Sequence, residues 1–352
     1  MGIDPHKQMH LAVALADNGT RLGRPLKVPT GPEALERLLA WIRPLAQGRP
    51  VLWAIEGGPG LGRAVADALL LHGQQVVWVP VRAMAAQRRI TATRGAKSDV
   101  IDAVAVARAA MADPHLARHR IDPRVRQIRL LVDLRADLVE RRVAVANRLA
   151  TMVHVELEHA PGGLSSGAAL ARVRQVVAAA AVEETVRWVL LALVGELEGL
   201  LARIREVERR LRELVEPVAP HLLAIAGVGV VSAAVLLSQV GDVERFASSA
   251  KLARYAGCAP IPVFSADRER HRLHRGGNRQ VNRVLHTVAM VQAQRFGPAR
   301  EYVAARVEAK GKRGAQRALK RHLVDVVYRA MVADRQQWRA EEALQEACQP
   351  AA

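Results

Sequence analysis

Nine apolar residues, Val186, Leu190, Leu193, Leu197, Leu200, Ile204, Val207, Leu211 and Leu214, follow one another at alternating steps of four and three. That spacing is the a/d seam of a heptad repeat and predicts one long helix whose apolar stripe must be covered by a partner. A looser version precedes it: Ile128, Leu131, Leu134, Leu138, Val145, Leu149 and Met152. Pro161-Gly162-Gly163-Leu164-Ser165-Ser166-Gly167 lies between the two stretches and has the composition of a turn. The expected element is a coiled-coil helical hairpin over 119–217, ended by Pro217 and Pro220. The same periodicity also fits core helices of a compact bundle.

The hairpin divides the chain into dissimilar parts. Before it, short apolar runs alternate with helical patterns. Strands are expected within 2–17, at 24–29, at Pro50–Ile55 and at Gln75–Pro80. Helices are expected at about Pro32–Ala46 and Leu61–His72, with two more ending near Ala112. This alternation predicts an α/β layer, over 1–118, with a largely parallel sheet. After the hairpin, 218–352 is expected to be all-α. Residues 222–241 carry no charged side chain. Gly227-Val228-Gly229 interrupts that run, so two short helices hinged at glycine, a helix-hairpin-helix, are expected there. Backbone N–H groups at the second helix's N-terminus can hold a phosphate. A buried core helix or a membrane span remain alternatives.

Charge narrows the partner. The 352 residues hold 52 Lys+Arg against 34 Asp+Glu, a formal net charge of +18. Between Lys251 and Arg321, 17 bases face four acids. Such a surplus points to a polyanion, either nucleic acid or an acidic membrane surface. A solvated surface in an Arg-rich composition is the plainer alternative. Two cysteines, Cys258 and Cys348, are too few for a disulfide scaffold or a thiolate zinc site and suit a reducing cytosol. No charged-then-apolar leader precedes Asp4, so secretion is not expected. Aromatic residues make up 3% of the chain, too few for base-stacking platforms.

Four acids stand out by position. Asp4 opens a strand, Glu56 closes the apolar strand Val51–Ile55, and Asp99 and Asp102 share one helical face at i, i+3. Brought together they would repel and need cations, and hard oxygen ligands suit Mg2+ or Mn2+. Two such ions can activate a nucleophile and stabilise a leaving oxygen at a phosphodiester. Each acid can also be ordinary, a helix cap or a turn residue. Gly57-Gly58-Pro59-Gly60-Leu61-Gly62 lacks the Gly-Lys-Ser/Thr of a phosphate loop. His154 with His159, and His271 with His274, lack partners for zinc.

These residues carry a family resemblance. Gly2-Ile3-Asp4-Pro5-His6-Lys7, Ile55-Glu56-Gly57 and Lys97-Ser98-Asp99-Val100-Ile101-Asp102-Ala103 resemble the DEDD tetrad of a RuvC-like (RNase H-like) domain. The version is that of transposases of insertion-sequence family 110. Ile225-Ala226-Gly227-Val228-Gly229 resembles that family's helix-hairpin-helix. Tyr255-Ala256-Gly257-Cys258-Ala259-Pro260, Phe264-Ser265 and Arg272-Leu273-His274-Arg275-Gly276-Gly277-Asn278-Arg279 resemble its transposase domain. The resemblance implies that Asp4, Glu56, Asp99 and Asp102 bind Mg2+ and that Ser265 attacks DNA, forming a transient 5′-phosphoserine. It further implies a homo-oligomer, a dimer assembling to a tetramer, in which Ser265 meets the acids. The resemblance also implies a structured bridge RNA that pairs with donor and target DNA. The protein is left to grip backbones through Gly227, Gly229, Arg270, Arg272, Arg275, Arg279 and Arg283. It implies no membrane partner and a cytoplasmic, nucleoid-associated protein. A RuvC-like nuclease using water, or an inactive nucleic-acid-binding remnant, are the rival readings.

Overall fold

A computed structural model describes residues 1–57, 60–91, 98–116, 118–120, 123–265, 268–273 and 276–347. The chain divides into two units, Met1–Ile121 and Asp122–Ala352.

The first unit is a three-layer sandwich. Its sheet is formed by β1 (Gly2–Pro5), β2 (Met9–Leu15), β3 (Arg21–Pro29), β4 (Leu52–Glu56) and β5 (Gln75–Val79), in the order β3-β2-β1-β4-β5. β1 pairs in parallel with β4, and β4 with β5. The β1–β2 and β2–β3 pairings are antiparallel, so the sheet is mixed and the expectation of a largely parallel one is corrected. Residues 2–17 turn back between Pro5 and Met9 instead of continuing, which places two antiparallel strands beside the parallel βαβ part. Side chains alternate between faces. Ile3, Trp53 and Ile55 pack on α1 (Ala34–Ala46) and α2 (Arg63–Leu71) through Leu38, Ile42, Val65 and Leu69. On the opposite face Ala54, Val77 and Val79 pack with Met84 of α3 (Val81–Thr91) and with Ala105, Val106 and Ala109 of α4 (Asp99–Ala112).

Gly2 explains how closely α4 sits. A Cβ on Gly2 would lie 2.0 Å from the Ala103 carbonyl oxygen and 2.7 Å from the Ala107 nitrogen. Only glycine lets the helix backbone rest on β1. This arrangement of a mixed sheet with helices on both faces is compatible with an RNase H-like domain.

The second unit is mostly helical. The heptad seam forms α7 (Glu184–Val215), burying Leu190, Leu193, Leu197, Leu200, Ile204, Val207 and Leu211. The looser stretch lies in α5 (Pro123–Leu157). Ile128, Val132 and Leu138 cluster with Leu200–Val215, whereas Leu149 and Val153 cluster with Leu190–Leu201, so the two helices run antiparallel. Arg135 donates to Glu208 across them at 2.8 Å. The connection holds a helix of its own, α6 (Gly167–Ala179), capped by Ser166, whose Leu170, Val173 and Val177 join the α7 core.

Beyond it come α8 (Pro220–Leu223), α9 (Val230–Val240), α10 (Ser249–Tyr255), β6 (Pro260–Ser265), β7 (Arg268–Leu273), α11 (Arg279–Arg295) and α12 (Gly297–Ala347), the last broken at Gly311. The expectation of an all-α C-terminal part is corrected by β6 and β7, which pair antiparallel from Pro260–Leu273 to Ser265–Arg268. The alternation of apolar residues and prolines in Pro260–Ser265 favours extended backbone. α12 returns to the start of this region. The buried Asp334 carboxylate accepts the backbone N–H of His221 at 2.9 Å and of Leu222 at 3.2 Å, closing the first turn of α8. The Trp338 indole donates to the Val218 carbonyl at 2.6 Å. Among the described residues no helix is long and apolar enough to cross a membrane.

Candidate active site

β1 and β4 lie side by side, with Gly2 opposite Ala54 and Ile3 opposite Ile55. Carrying that register forward sets Asp4 beside Glu56, both on the face that α4 covers and both at the ends of their strands. The close approach at Gly2 then brings the first turn of α4 over them, and that turn carries Asp99 and Asp102. Ser98 caps the helix, its Oγ accepting the Ile101 N–H at 3.3 Å. The partial positive charge of this helix end favours acids in its first turn.

The four expected acids converge within the first unit. Glu56 hydrogen-bonds Asp4 and feels the charges of Asp4 and Asp102. Burial first, then the Asp4 hydrogen bond and those two charges, push the Glu56 carboxyl up to about 7, with His6 offsetting part of the rise. Asp4 and Asp102 are buried, while Asp99 is open to solvent. Two residues that spacing did not single out complete the site. His6 Nε2 lies 3.1 Å from Asp4 Oδ2 and 3.8 Å from Asp99 Oδ1, and ligand atoms of Asp4, His6 and Asp99 fall within 4.8 Å of one another. Arg88 of α3 donates to Asp102 at 2.9 Å. His6 stood two residues from Asp4 within the motif, so a period-of-two reading could have found it. Arg88 left no such signal, because only the packing of α3 on α4 brings it in.

A crowd of carboxylates that pushes one of its members up to about 7 is one that a cation would relieve. Carboxylate oxygens with one imidazole suit a hard or borderline divalent ion. The donor set therefore fits divalent-metal chemistry without naming the metal.

In the second unit, Gly227 (φ +82°) and Gly229 form the turn before α9, with Gly229 at its N-cap. Arg272, Arg279 and Arg283 line one open cleft of about 810 Å³. Ser265 and Arg270 lie on β6 and β7, where Ser265 pairs with Arg268 and Arg270 with Val263, and their side chains lie outside the described residues, as does Arg275 entirely.

The loop Tyr255–Cys258 is held against the start of α11 in detail. Gly277 crosses Gly257 so closely that a Cβ there would lie 2.3 Å from the Gly257 nitrogen. Asn278 caps α11 by accepting the N–H groups of Gln280 and Val281, and its amide donates to Tyr255 Oη at 2.9 Å and Gln239 Oε1 at 3.0 Å. Asn282 donates to the Ala256 carbonyl at 2.7 Å.

Known proteins share both halves. The DEDD transposase family of IS110 elements matches residues 1–155. The family described as transposase IS116/IS110/IS902 matches residues 219–304. The 44.8 kDa protein of insertion element IS116 from Streptomyces clavuligerus is 29% identical, covering 95% of this chain and 94% of the relative. The 42 kDa protein of insertion element IS900 from Mycobacterium paratuberculosis is 28% identical, covering 95% of each. The 43.6 kDa protein of insertion element IS110 from Streptomyces coelicolor is 36% identical over 41% of this chain and 36% of its own length. With both family signatures in order, and relatives aligned nearly end to end, the chain belongs to the IS110 family of transposases, enzymes that process DNA.

Proposed function

We propose that this transposase cleaves and exchanges DNA strands by metal-dependent phosphoryl transfer through a 5′-phosphoserine at Ser265. The observation that carries the reading is the convergence of Asp4, Glu56, Asp99 and Asp102 at the meeting point of β1, β4 and α4. The first unit is read as RuvC-like (1–118), the long antiparallel helices as a coiled-coil hairpin (119–217), and the remainder as the transposase domain (218–352) with its helix-hairpin-helix.

Asp4, Glu56, Asp99 and Asp102 would hold Mg2+ or Mn2+, which supplies charge neutralisation at the scissile phosphate and acidifies an attacking hydroxyl. Ser265 Oγ attacks phosphorus, the O–P bond forms, and the bond to the 3′ oxygen breaks. The proton leaves Oγ and the departing strand ends as a 3′-hydroxyl. A second 3′-hydroxyl then attacks the phosphoserine and regenerates Ser265. Arg88 keeps Asp102 oriented through its hydrogen bond. Gly227 and Gly229 give a phosphate access to backbone N–H groups at α9, while Arg270, Arg272, Arg275, Arg279 and Arg283 contact backbone phosphates. A bridge RNA supplies target choice by base pairing, and a homo-oligomer, dimer to tetramer, delivers Ser265 to the acids of a neighbouring copy. The protein acts in the cytoplasm at the nucleoid.

The test is to trap a covalent protein–DNA adduct and map it. Adduct at Ser265, lost in Ser265→Ala and in Asp102→Ala, is the expected result. Cleavage that survives Ser265→Ala but not Asp102→Ala would replace the serine step with attack by water. Salt-sensitive binding indifferent to Mg2+ and to both substitutions would leave only a nucleic-acid binder.

A further inference from the structure

The cleft that holds Arg272, Arg279 and Arg283 is wider in composition than those three. Its far wall is α12, which contributes Lys310, Arg317, Lys320 and Arg321, and none of its described lining residues is acidic. On α11, Arg279, Arg283 and His286 recur at i, i+4, i+7, and on α12, Gly314, Arg317 and Arg321 recur at i, i+3, i+7, so each helix presents a stripe to the same space. Lys310, just before the break at Gly311, lines the same wall. Arg321 is paired with Asp325 at 2.7 Å. Among the described residues no carboxylate pairs with Arg283, Lys310 or Arg317 within ion-pair distance.

This cleft is constructed rather than incidental. Lys320 Nζ donates to Asn282 Oδ1 at 3.0 Å, tying α12 to α11. The other end of the same amide holds the Ala256 carbonyl, fixing the floor. The floor, Gly257–Pro260, runs straight into β6. Like charges held this close, without acidic partners in the lining, repel one another until a polyanion arrives.

The hairpin fixes a distance. Arg272, on the cleft, is opposite Ile261, and Ser265 is opposite Arg268 four residues further along β6. At about 3.4 Å per residue this is about 14 Å. With the hairpin laid along the axis of a duplex, where one strand carries a phosphate about every 3.4 Å, the separation spans about four nucleotides. We propose that this cleft grips the phosphodiester backbone of the DNA strand being cut, about four nucleotides from the phosphate presented to Ser265. The offset rests on the Ser265 reading above. The grip itself does not.

The experiment uses the full chain with two probes, a mixed-sequence DNA duplex and an RNA hairpin of matched length, titrated over a range of salt. Arg283→Gln and Arg317→Gln should each lower the slope of log K against log salt on DNA by about 0.9, and Lys310→Gln should act alike. Ser265→Ala should leave the slope unchanged, and the RNA slope should not move. Thermal melting confirms that the variants are folded. An unchanged DNA slope in all three, or a change on RNA alone, overturns the proposal. Ethylating single phosphates should then block adduct formation about four nucleotides from the adduct, and interference confined elsewhere overturns the placement. If no adduct forms at Ser265 yet the DNA slopes fall, the grip stands and the serine reading falls with its offset.

Discussion

The two charged sites of this chain are of opposite sign and are built by opposite means. In the first unit, like charges are forced onto one point by rigid scaffolding: two adjacent strand ends and the first turn of a helix that glycine lets down onto the sheet. In the second, charges are spread along two helices and the scaffold fixes the cleft instead, through Asn278, Asn282 and the Gly257–Gly277 crossing. A point of negative charge suits one or two small cations. An extended basic wall suits a polymer of phosphates. Chemistry and grip can therefore be broken separately, and the largest effects should come from the acids. Asp102→Asn should reduce strand cleavage by about three orders of magnitude, since a metal supplies several kcal/mol of transition-state stabilisation. DNA affinity of the same variant at fixed salt should stay at the parent value. Loss of both together would mean that the two sites are not separable.

Next in size are the glycines that set each scaffold. Gly2→Ala would press a methyl group into the Ala103 carbonyl. Overpacking of this kind costs about 1–3 kcal/mol, and here it also lifts α4 away from Asp4. Calorimetric melting should show the loss, with Mg2+ affinity weakened and the salt dependence of DNA binding kept. Gly277→Ala, against Gly257, should show the mirror image: weakened DNA binding with Mg2+ affinity kept. A Gly2→Ala protein that melts with the parent would show that the helix does not depend on that contact.

How much of this was legible in sequence follows from how local each signal is. The seam Val186–Leu214 became α7 because periodicity is a property of one segment. Asp4, Glu56, Asp99 and Asp102 could be picked out because each stands at the end of an element, where a ligand site gathers. Their mutual register, Gly2 against Ala54, came only with the sheet. Helix α6 escaped notice because its short apolar stripe is overshadowed by the turn before it. The strands β6 and β7 did so because Arg268–Leu273 alternates charge rather than apolarity. Arg88, Asp334 and Lys320 were invisible for a different reason. Each acts on a partner distant in sequence, Asp102, His221 and Asn282, and tertiary packing alone joins them.

The acid site should also titrate near neutrality. Glu56 keeps its proton in the folded chain up to about pH 7, whereas a free glutamic acid releases it near 4.5. Between those values the folded state binds more protons, so this group's contribution to stability is complete at the low end and is lost as pH rises through about 7. A cation must displace that proton, so Mg2+ affinity should climb with pH up to about 7 and then level off. Isothermal titration across that range checks it. Glu56→Gln should flatten the climb and remove the stability drift. A parent profile as flat as the variant's would show that Glu56 is ionised throughout.

The smallest effect tests how finely the acid site depends on one cap. Ser98 Oγ satisfies the Ile101 N–H, and the turn it closes carries both Asp99 and Asp102. Ser98→Ala should cost about 1 kcal/mol in urea unfolding, the usual value of such a cap. The α4 core, Ala103 to Ala110, is untouched, so the helix itself should persist. What changes is the definition of its first turn. Mg2+ affinity should therefore fall by more than the small stability loss alone implies, and Ser98→Asp, which restores the cap, should recover it. If Ser98→Ala unfolds more easily but binds Mg2+ as the parent does, the acids are positioned by the sheet and Gly2 alone, and the helix end is a passive carrier.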